Sequence, residues 1–290
     1  MTNEQTLEFL TTAANQHASD IFIIAGRPLS IKVDGHLTDY GERLMPDDTK
    51  QILECIYQMA NNRDINHLLN TGDDDFSFSI PGLSRFRINA YKQRGSLAAV
   101  IRVIAFRLPD PSELSIPDDV MQTADYTKGM VLVTGSAGSG KSTTMACLID
   151  RINHSREGHI ITLEDPLEYL HRHDRCIVSQ REICTDTANY LTSLRATLRQ
   201  SPDVILLGEM RDHETIQTAM TAAETGHLVL SSLHTLGAAN SISRIIDVFE
   251  PAQQHQIIVQ LSMVLQAVIS QQLIPDVNGK VIPVFEVMRL

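Results

Sequence analysis

Eight residues, Gly135-Ser-Ala-Gly-Ser-Gly-Lys141-Ser142, constrain this chain more than any others. They match G-x-x-x-x-G-K-[ST], the phosphate-binding loop, in the context such a loop requires. The apolar run Val131–Val133 reads as a buried strand before it, and a helical stretch follows. Glycines let successive N–H groups converge on phosphate oxygens, and the helix N-terminus adds its positive dipole end. Lys141 can then reach the β- and γ-phosphates, and Ser142 can ligate Mg²⁺. Ser136, Ala137, Gly138, Ser139, Gly140 and Thr143 complete the expected cradle for ATP. From ordinary glycine usage, a chance match in a chain this long is about one in a hundred.

Around the loop, apolar strands alternate with helices, the sign of a parallel sheet covered on both faces. Strands are expected at Met130–Thr134, His159–Leu163, Val204–Leu207 and Leu228–Ser231. Helices are expected through about Lys141–Asn153, Thr187–Arg199, His213–Thr225 and Ala238–Phe249, with Gly226 placed for a left-handed helix end. Gln256–Gln272 reads as a further helix, with Ile257, Leu261, Val264, Leu265, Val268 and Ile269 on one face. Val281–Leu290 reads as a final strand.

The first hundred residues have a different texture. Glu4–His17 carries apolar residues at helical spacing, and short β-rich runs follow at Ile21–Ile24 and Leu29–Val33, with a turn at Asp34-Gly35. Helical stretches run through Thr49–Met59 and Ile65–Leu69. Strands are expected at Asp75–Ile80, Arg85–Tyr91 and Leu97–Ile104; in the middle one, Phe86, Ile88 and Ala90 alternate with Arg85, Arg87 and Asn89. Pro109, Pro111 and Pro117 then forbid a continuous helix or central strand. The expected organisation is a small α+β domain over 1–107, a linker over 108–118 and an α/β phosphate-loop domain over 119–290.

Two further carboxylates end apolar strands. Ile160-Ile-Thr-Leu-Glu164 is one such run, and Val204-Ile-Leu-Leu-Gly-Glu209 is the other. Ligands of an open α/β sheet sit off the carboxyl ends of its strands, beside the phosphate loop. Nucleotide hydrolysis needs one carboxylate to orient or deprotonate water and another to hold hydrated Mg²⁺. His227 and His234 bracket the strand Leu228–Leu233, one at each end.

Totals narrow the partners. The net charge is −11 and no Lys/Arg cluster is present, which disfavours a nucleic-acid partner. No stretch approaches the roughly 18 apolar residues of a membrane helix, and the start lacks a secretory pattern. Cys55, Cys147, Cys176 and Cys184 form no Cys-x-x-Cys pair, as suits unreactive thiols in a reducing compartment. A cytoplasmic protein is expected.

Four segments together resemble the nucleotide boxes of the type II/type IV secretion ATPase superfamily. They are Gly135–Thr144, Ile161–His171, Pro202–Asp212 and Thr221–Thr235. The Glu164 segment resembles the aspartate box, Gly208-Glu209 the Walker B motif, and His227/His234 the histidine box. Gly208-Glu-Met-Arg-Asp, Ala222-Ala-Glu-Thr-Gly-His-Leu-Val, Gln180-Arg-Glu182, Ala18-Ser-Asp20 and Val33-Asp-Gly35 resemble its pilus-retraction (twitching-motility) branch. The resemblance implies a RecA-like motor domain behind a PAS-like domain, assembled as a homo-hexamer with ATP at subunit interfaces. It implies Glu164 as catalytic base, and Glu209 as the acid on the Mg²⁺ side, acting through water with Ser142 on the metal. His234, with His227, would sense the γ-phosphate. Arg102 would neutralise transition-state charge across an interface, with Arg87 and Arg94 as weaker matches. The implied partners are the inner-membrane platform protein of a pilus machine and a paralogous pilus ATPase. The four-cysteine zinc insertion of extension and secretion relatives has no counterpart in this sequence, and neither has the C-terminal helical region of retraction relatives, which opens with an Ala-Ile-Arg type motif. Two rival readings remain: an accessory nucleotide-binding subunit without turnover, and a DNA-handling RecA-type translocase.

Overall fold

Thr2 starts the first helix. Its hydroxyl accepts from Gln5 N while the Gln5 side chain accepts from Thr2 N, a reciprocal cap for α1 (Asn3–Asn15). In this computed structural model, residues 1–33, 35–104, 108–277 and 281–290 are described, and they form two compact units, Met1–Phe106 and Arg107–Leu290.

In the first unit α1 is followed by β1 (Asp20–Ile23), β2 (Leu29–Val33), β3 (His36–Tyr40), α2 (Pro46–Met59), α3 (Asn66–Thr71), β4 (Asp73–Ile80), β5 (Ser84–Gln93) and β6 (Ser96–Ile104). The strands make one antiparallel sheet in the order β3-β2-β1-β6-β5-β4. Alternation along β5 behaves as the sequence requires: Phe86, Ile88 and Ala90 are fully buried, while Arg85, Arg87 and Asn89 face the other way. Asp34 lies outside the described residues; Gly35, with φ +83°, joins β2 to β3. No strand was expected at β3, which is exposed along nearly its whole length and carries one large apolar residue, Leu37. Among the described residues of this unit, one carboxylate is buried. Asp74 accepts from Arg63 Nη2 at 2.8 Å and from the Tyr57 hydroxyl at 2.8 Å, so its charge is both paired and hydrogen-bonded.

The proline-rich segment belongs to the second unit. Ile116 is buried in that unit's core, and the Cys147 thiol reaches the Pro109 carbonyl at 3.7 Å. There follow α4 (Asp118–Met121), β7 (Gly129–Thr134), α5 (Lys141–Ser155), β8 (Gly158–Glu164), β9 (Cys176–Glu182), α6 (Tyr190–Thr197) and β10 (Val204–Leu207). The unit ends with α7 (His213–Glu224), β11 (Leu228–Leu233), α8 (Ala238–Asp247), α9 (Pro251–Val264), β12 (Leu265–Pro275) and β13 (Val281–Arg289). The sheet order is β13-β12-β7-β11-β10-β8-β9, parallel throughout except for β13. Its central strands β7, β10 and β11 are buried at every position because both faces are covered. Met130 and Leu132 of β7 enter one core, Val131 and Val133 the other. Gly226, φ +105°, follows the end of α7 as expected.

The helix expected over Gln256–Gln272 is corrected by the structure. Helical residues stop at Val264, and Leu265–Pro275 is the strand β12. Ala267–Ser270 pair in parallel register with Val131–Thr134 of β7, and Val268 and Ile269 are fully buried. A short apolar run satisfies either period, and here the neighbouring strand decides it. Strand β9 went unpredicted because only part of Cys-Ile-Val-Ser-Gln-Arg-Glu is apolar; it lies at the sheet edge with Ile177 exposed.

Candidate active site

The phosphate loop leaves β7 at Gly135 and enters α5 through Gly140, whose φ of +88° is left-handed. Gly135 has φ +150°, and a Cβ there would stand 2.2 Å from the Gln271 carbonyl oxygen and 2.6 Å from Ser139 Oγ. Both positions therefore exclude side chains. Gly135→Ala is expected to displace the loop and cost about 1–3 kcal/mol of overpacking, read as a lowered Tm together with weakened nucleotide binding. Lys141 is buried, and its Nζ donates to the carbonyls of Gly135 (2.9 Å) and Ser136 (2.8 Å). Its Nζ lies 3.5 Å from His234 Nδ1. Desolvation lowers the Lys141 pKa, while Glu209 and Glu168 act in the opposite direction.

Because β8, β10 and β11 run parallel to β7, their C-terminal ends meet at this loop. A cavity of about 460 Å³ opens there, lined by Gly138, Lys141, Ser142, Glu164, Glu209 and His234 among others. Glu164 accepts from Thr162 Oγ1 at 2.6 Å. Burial pushes its carboxyl up to about 7, with Glu168 and Glu182 adding like charge against the bonds from Thr162 and Gln180. Glu209 Oε1 accepts from Arg211 Nη2 at 2.7 Å. Its Oε2 is buried without a hydrogen-bond partner among the described residues, 3.5 Å from His234 Nε2. Ser142 Oγ donates to Glu168 Oε1 at 3.0 Å, and Thr143 meets the Tyr169 hydroxyl at 2.8 Å.

The Glu164 environment sets a pH dependence. If Glu164 acts as the general base it must be ionised, and turnover should then rise with pH through about 7 and level off. Glu168→Gln removes one like charge, and the midpoint of the kcat–pH profile should move to lower pH. Burial remains the larger cause, so the shift should be partial; an unmoved midpoint would assign the profile to another group.

His227 does not line this cavity. It precedes β11, whose six residues rise about 3.3 Å each and set it roughly 20 Å from the loop end of the sheet. Its Nδ1 lies 2.8 Å from the Ala222 carbonyl and 3.2 Å from Thr225 Oγ1, so the ring closes the end of α7. Arg102 lies on β6 of the first unit, 70% exposed, with Nε 3.2 Å from Asp20 Oδ1. Arg87, its register neighbour on β5, pairs with Asp75 at 2.8 Å, and Arg94 is a left-handed turn residue with φ +48°. Among the cavity residues that carried no assigned role in the sequence are Glu168, His171, Tyr190 and Arg211. Arg211 stood inside the quoted Gly208–Asp212 box and was legible there. Tyr190 was not: its hydroxyl lies against Gly208, 2.7 Å from where a Cβ would stand. His171 is held neutral by burial, with its pKa pushed down to about 4.

A second cavity, about 270 Å³, opens on the other flank of the loop. Its walls are residues 113–116, Gly140, Thr143 and Thr144, Gln271 and Leu273 of β12, and residues 281–283 of β13.

The sequence profile of the family described as Type II/IV secretion system protein matches residues 3–282. The chain belongs to that family. The type IV pilus retractation ATPase PilT of Pseudomonas aeruginosa is 43% identical over 281 residues, covering 97% of this chain and 81% of that protein. The type IV pilus ATPase PilU of the same organism is 40% identical, over 94% and 71%. A crystal structure of the pilus retraction motor PilT with bound ADP superposes with a TM-score of 0.87 at 44% identity, over 98% of this chain and 82% of that one. A phosphate loop, two strand-end carboxylates and this kinship make this member of the type II/IV secretion family an ATPase with a RecA-like motor fold.

Proposed function

We propose that this chain is a Mg²⁺-dependent motor of type IV pilus retraction, working as a homo-hexamer at the cytoplasmic face of the inner membrane. The observation that carries the reading is the convergence of Lys141, Glu164, Glu209 and His234 on one cavity at the strand ends. Lys141 exchanges its bonds to the loop carbonyls for the β- and γ-phosphates. Glu164 accepts a proton from water as the water oxygen bonds to the γ-phosphorus and the bond to the β-phosphate oxygen breaks, leaving ADP. Its carboxyl near 7 suits that exchange. The buried, unpartnered Glu209 Oε2 fits an ordered metal-bound water, with Ser142 as the direct ligand. Mg²⁺ bound there would neutralise phosphate charge. His234, between Glu209 and Lys141, senses the γ-phosphate. Arg102 reaches a neighbouring subunit's site. The second cavity, apolar and close to the loop, takes the base.

No helix among the described residues is long and apolar enough to cross a membrane, so docking to the membrane falls to a platform protein, with a paralogous pilus ATPase as a further partner. The gene's deletion should leave cells with pili that extend but do not retract, scored as surface pili without twitching. Loss of the pili themselves would assign the motor to extension, and unchanged twitching would remove it from the machine.

A further inference from the structure

We propose that Gln271 contacts the nucleoside: its side-chain amide nitrogen is a donor held at the junction of the phosphate loop and the second cavity. The inference rests on the proposed ATP reading and deepens it. Gln271 sits near the end of β12 and is only 3% exposed. Its Oε1 accepts from Thr144 Oγ1 at 2.7 Å, and Thr144 is itself fully buried in the first turn of α5. With Oε1 taking that bond, Nε2 is turned the other way. Nε2 then lies against Gly140, 2.8 Å from where a Cβ would stand.

A buried amide normally uses both its ends. Here the oxygen is committed to Thr144, whereas Nε2 makes no hydrogen bond among the described residues. Gln271 lines the cavity whose apolar walls include Leu114, Leu273 and Pro283. At about 270 Å³ this cavity falls just below the roughly 300–1,000 Å³ of whole-ligand pockets. It suits one ring system of a ligand whose phosphates lie in the larger cavity. Few convergent polar groups set orientation in such pockets, and Nε2 is a donor with no acceptor of its own. The acceptor it takes is a ring nitrogen of the base or a ribose oxygen.

A neutral hydrogen bond is worth about two- to tenfold in affinity. The test is competitive displacement of a fluorescent nucleotide by ATP and by inorganic tripolyphosphate, in the parent and in Gln271→Leu. ATP affinity should fall by about two- to tenfold in the variant while tripolyphosphate affinity holds. If both ligands weaken equally, Gln271 merely props the loop and the proposal is overturned. It is equally overturned if neither weakens. Gln271→Glu keeps the acceptor for Thr144 and serves if the leucine variant does not fold. Its charge weakens both ligands, so the ratio of the two affinities is read: a fall in the preference for ATP supports the contact, and an unchanged ratio refutes it. With 3-deaza-, 7-deaza-, 2′-deoxy- and 3′-deoxy-ATP, the analogue that costs the parent affinity and the variant none identifies the acceptor. A parent that binds tripolyphosphate as tightly as ATP overturns the nucleotide reading itself, whereas a parent that prefers ATP beside a variant that keeps this preference overturns only the role of Gln271.

Discussion

Glu164→Gln should leave ATP bound and lower turnover by about 10²–10⁴-fold, the usual contribution of a general base. The substitution preserves size and can still accept from Thr162, whose hydroxyl lies 2.6 Å from the carboxylate. It removes the group proposed to accept a proton. Binding rests instead on the loop and on Lys141, which the change does not touch. Nucleotide titration and single-turnover phosphate release separate the two effects. Parent-level turnover in Glu164→Gln would give the base to another carboxylate of the cavity, such as Glu209. Lowered affinity with unchanged kcat would make Glu164 a binding group.

Arg102→Ala is expected to cost about 10³–10⁵-fold in turnover, the range for arginine fingers acting across an interface. Arg102 is bound to Asp20 at 3.2 Å and is largely exposed. An exposed ion pair is worth only about 0–1 kcal/mol, so the pairing presents little obstacle to a move onto a phosphate. Specific activity of the parent should rise steeply with protein concentration if, as proposed, each site takes Arg102 from a neighbouring subunit. Mixing Arg102→Ala with Glu164→Gln should restore part of the turnover, since some mixed interfaces regain both groups. An inactive mixture, with assembly verified by light scattering, would exclude Arg102 from the neighbouring site.

Much of the motor unit was legible because its signals are local. A phosphate loop needs a strand, a glycine-rich turn and a helix in immediate succession, and Gly135–Ser142 carries all three constraints within a few residues. Glu164 and Glu209 were legible because parallel topology sends every strand end to one edge. What escaped was decided by partners distant in sequence. Leu265–Ile269 satisfies a helical stripe as well as a strand, and only β7, more than a hundred residues earlier, selects the strand. Gln271 is unremarkable in the sequence; its place against Gly135, Gly140 and Thr144 exists only once β12 lies beside β7. His227 and His234 bracket β11, and that strand holds them at its opposite ends.

Phosphate release by the purified chain, supplied with ATP and Mg²⁺ across a range of protein concentrations, measures the central claim directly. The expected result is sustained turnover, far beyond one phosphate per subunit, that rises with assembly, stops when the divalent cation is chelated and does not respond to added DNA. ATP bound at stoichiometric amounts with no phosphate released, at concentrations where the subunits are assembled, would contradict it and leave a nucleotide-binding subunit that does no chemistry.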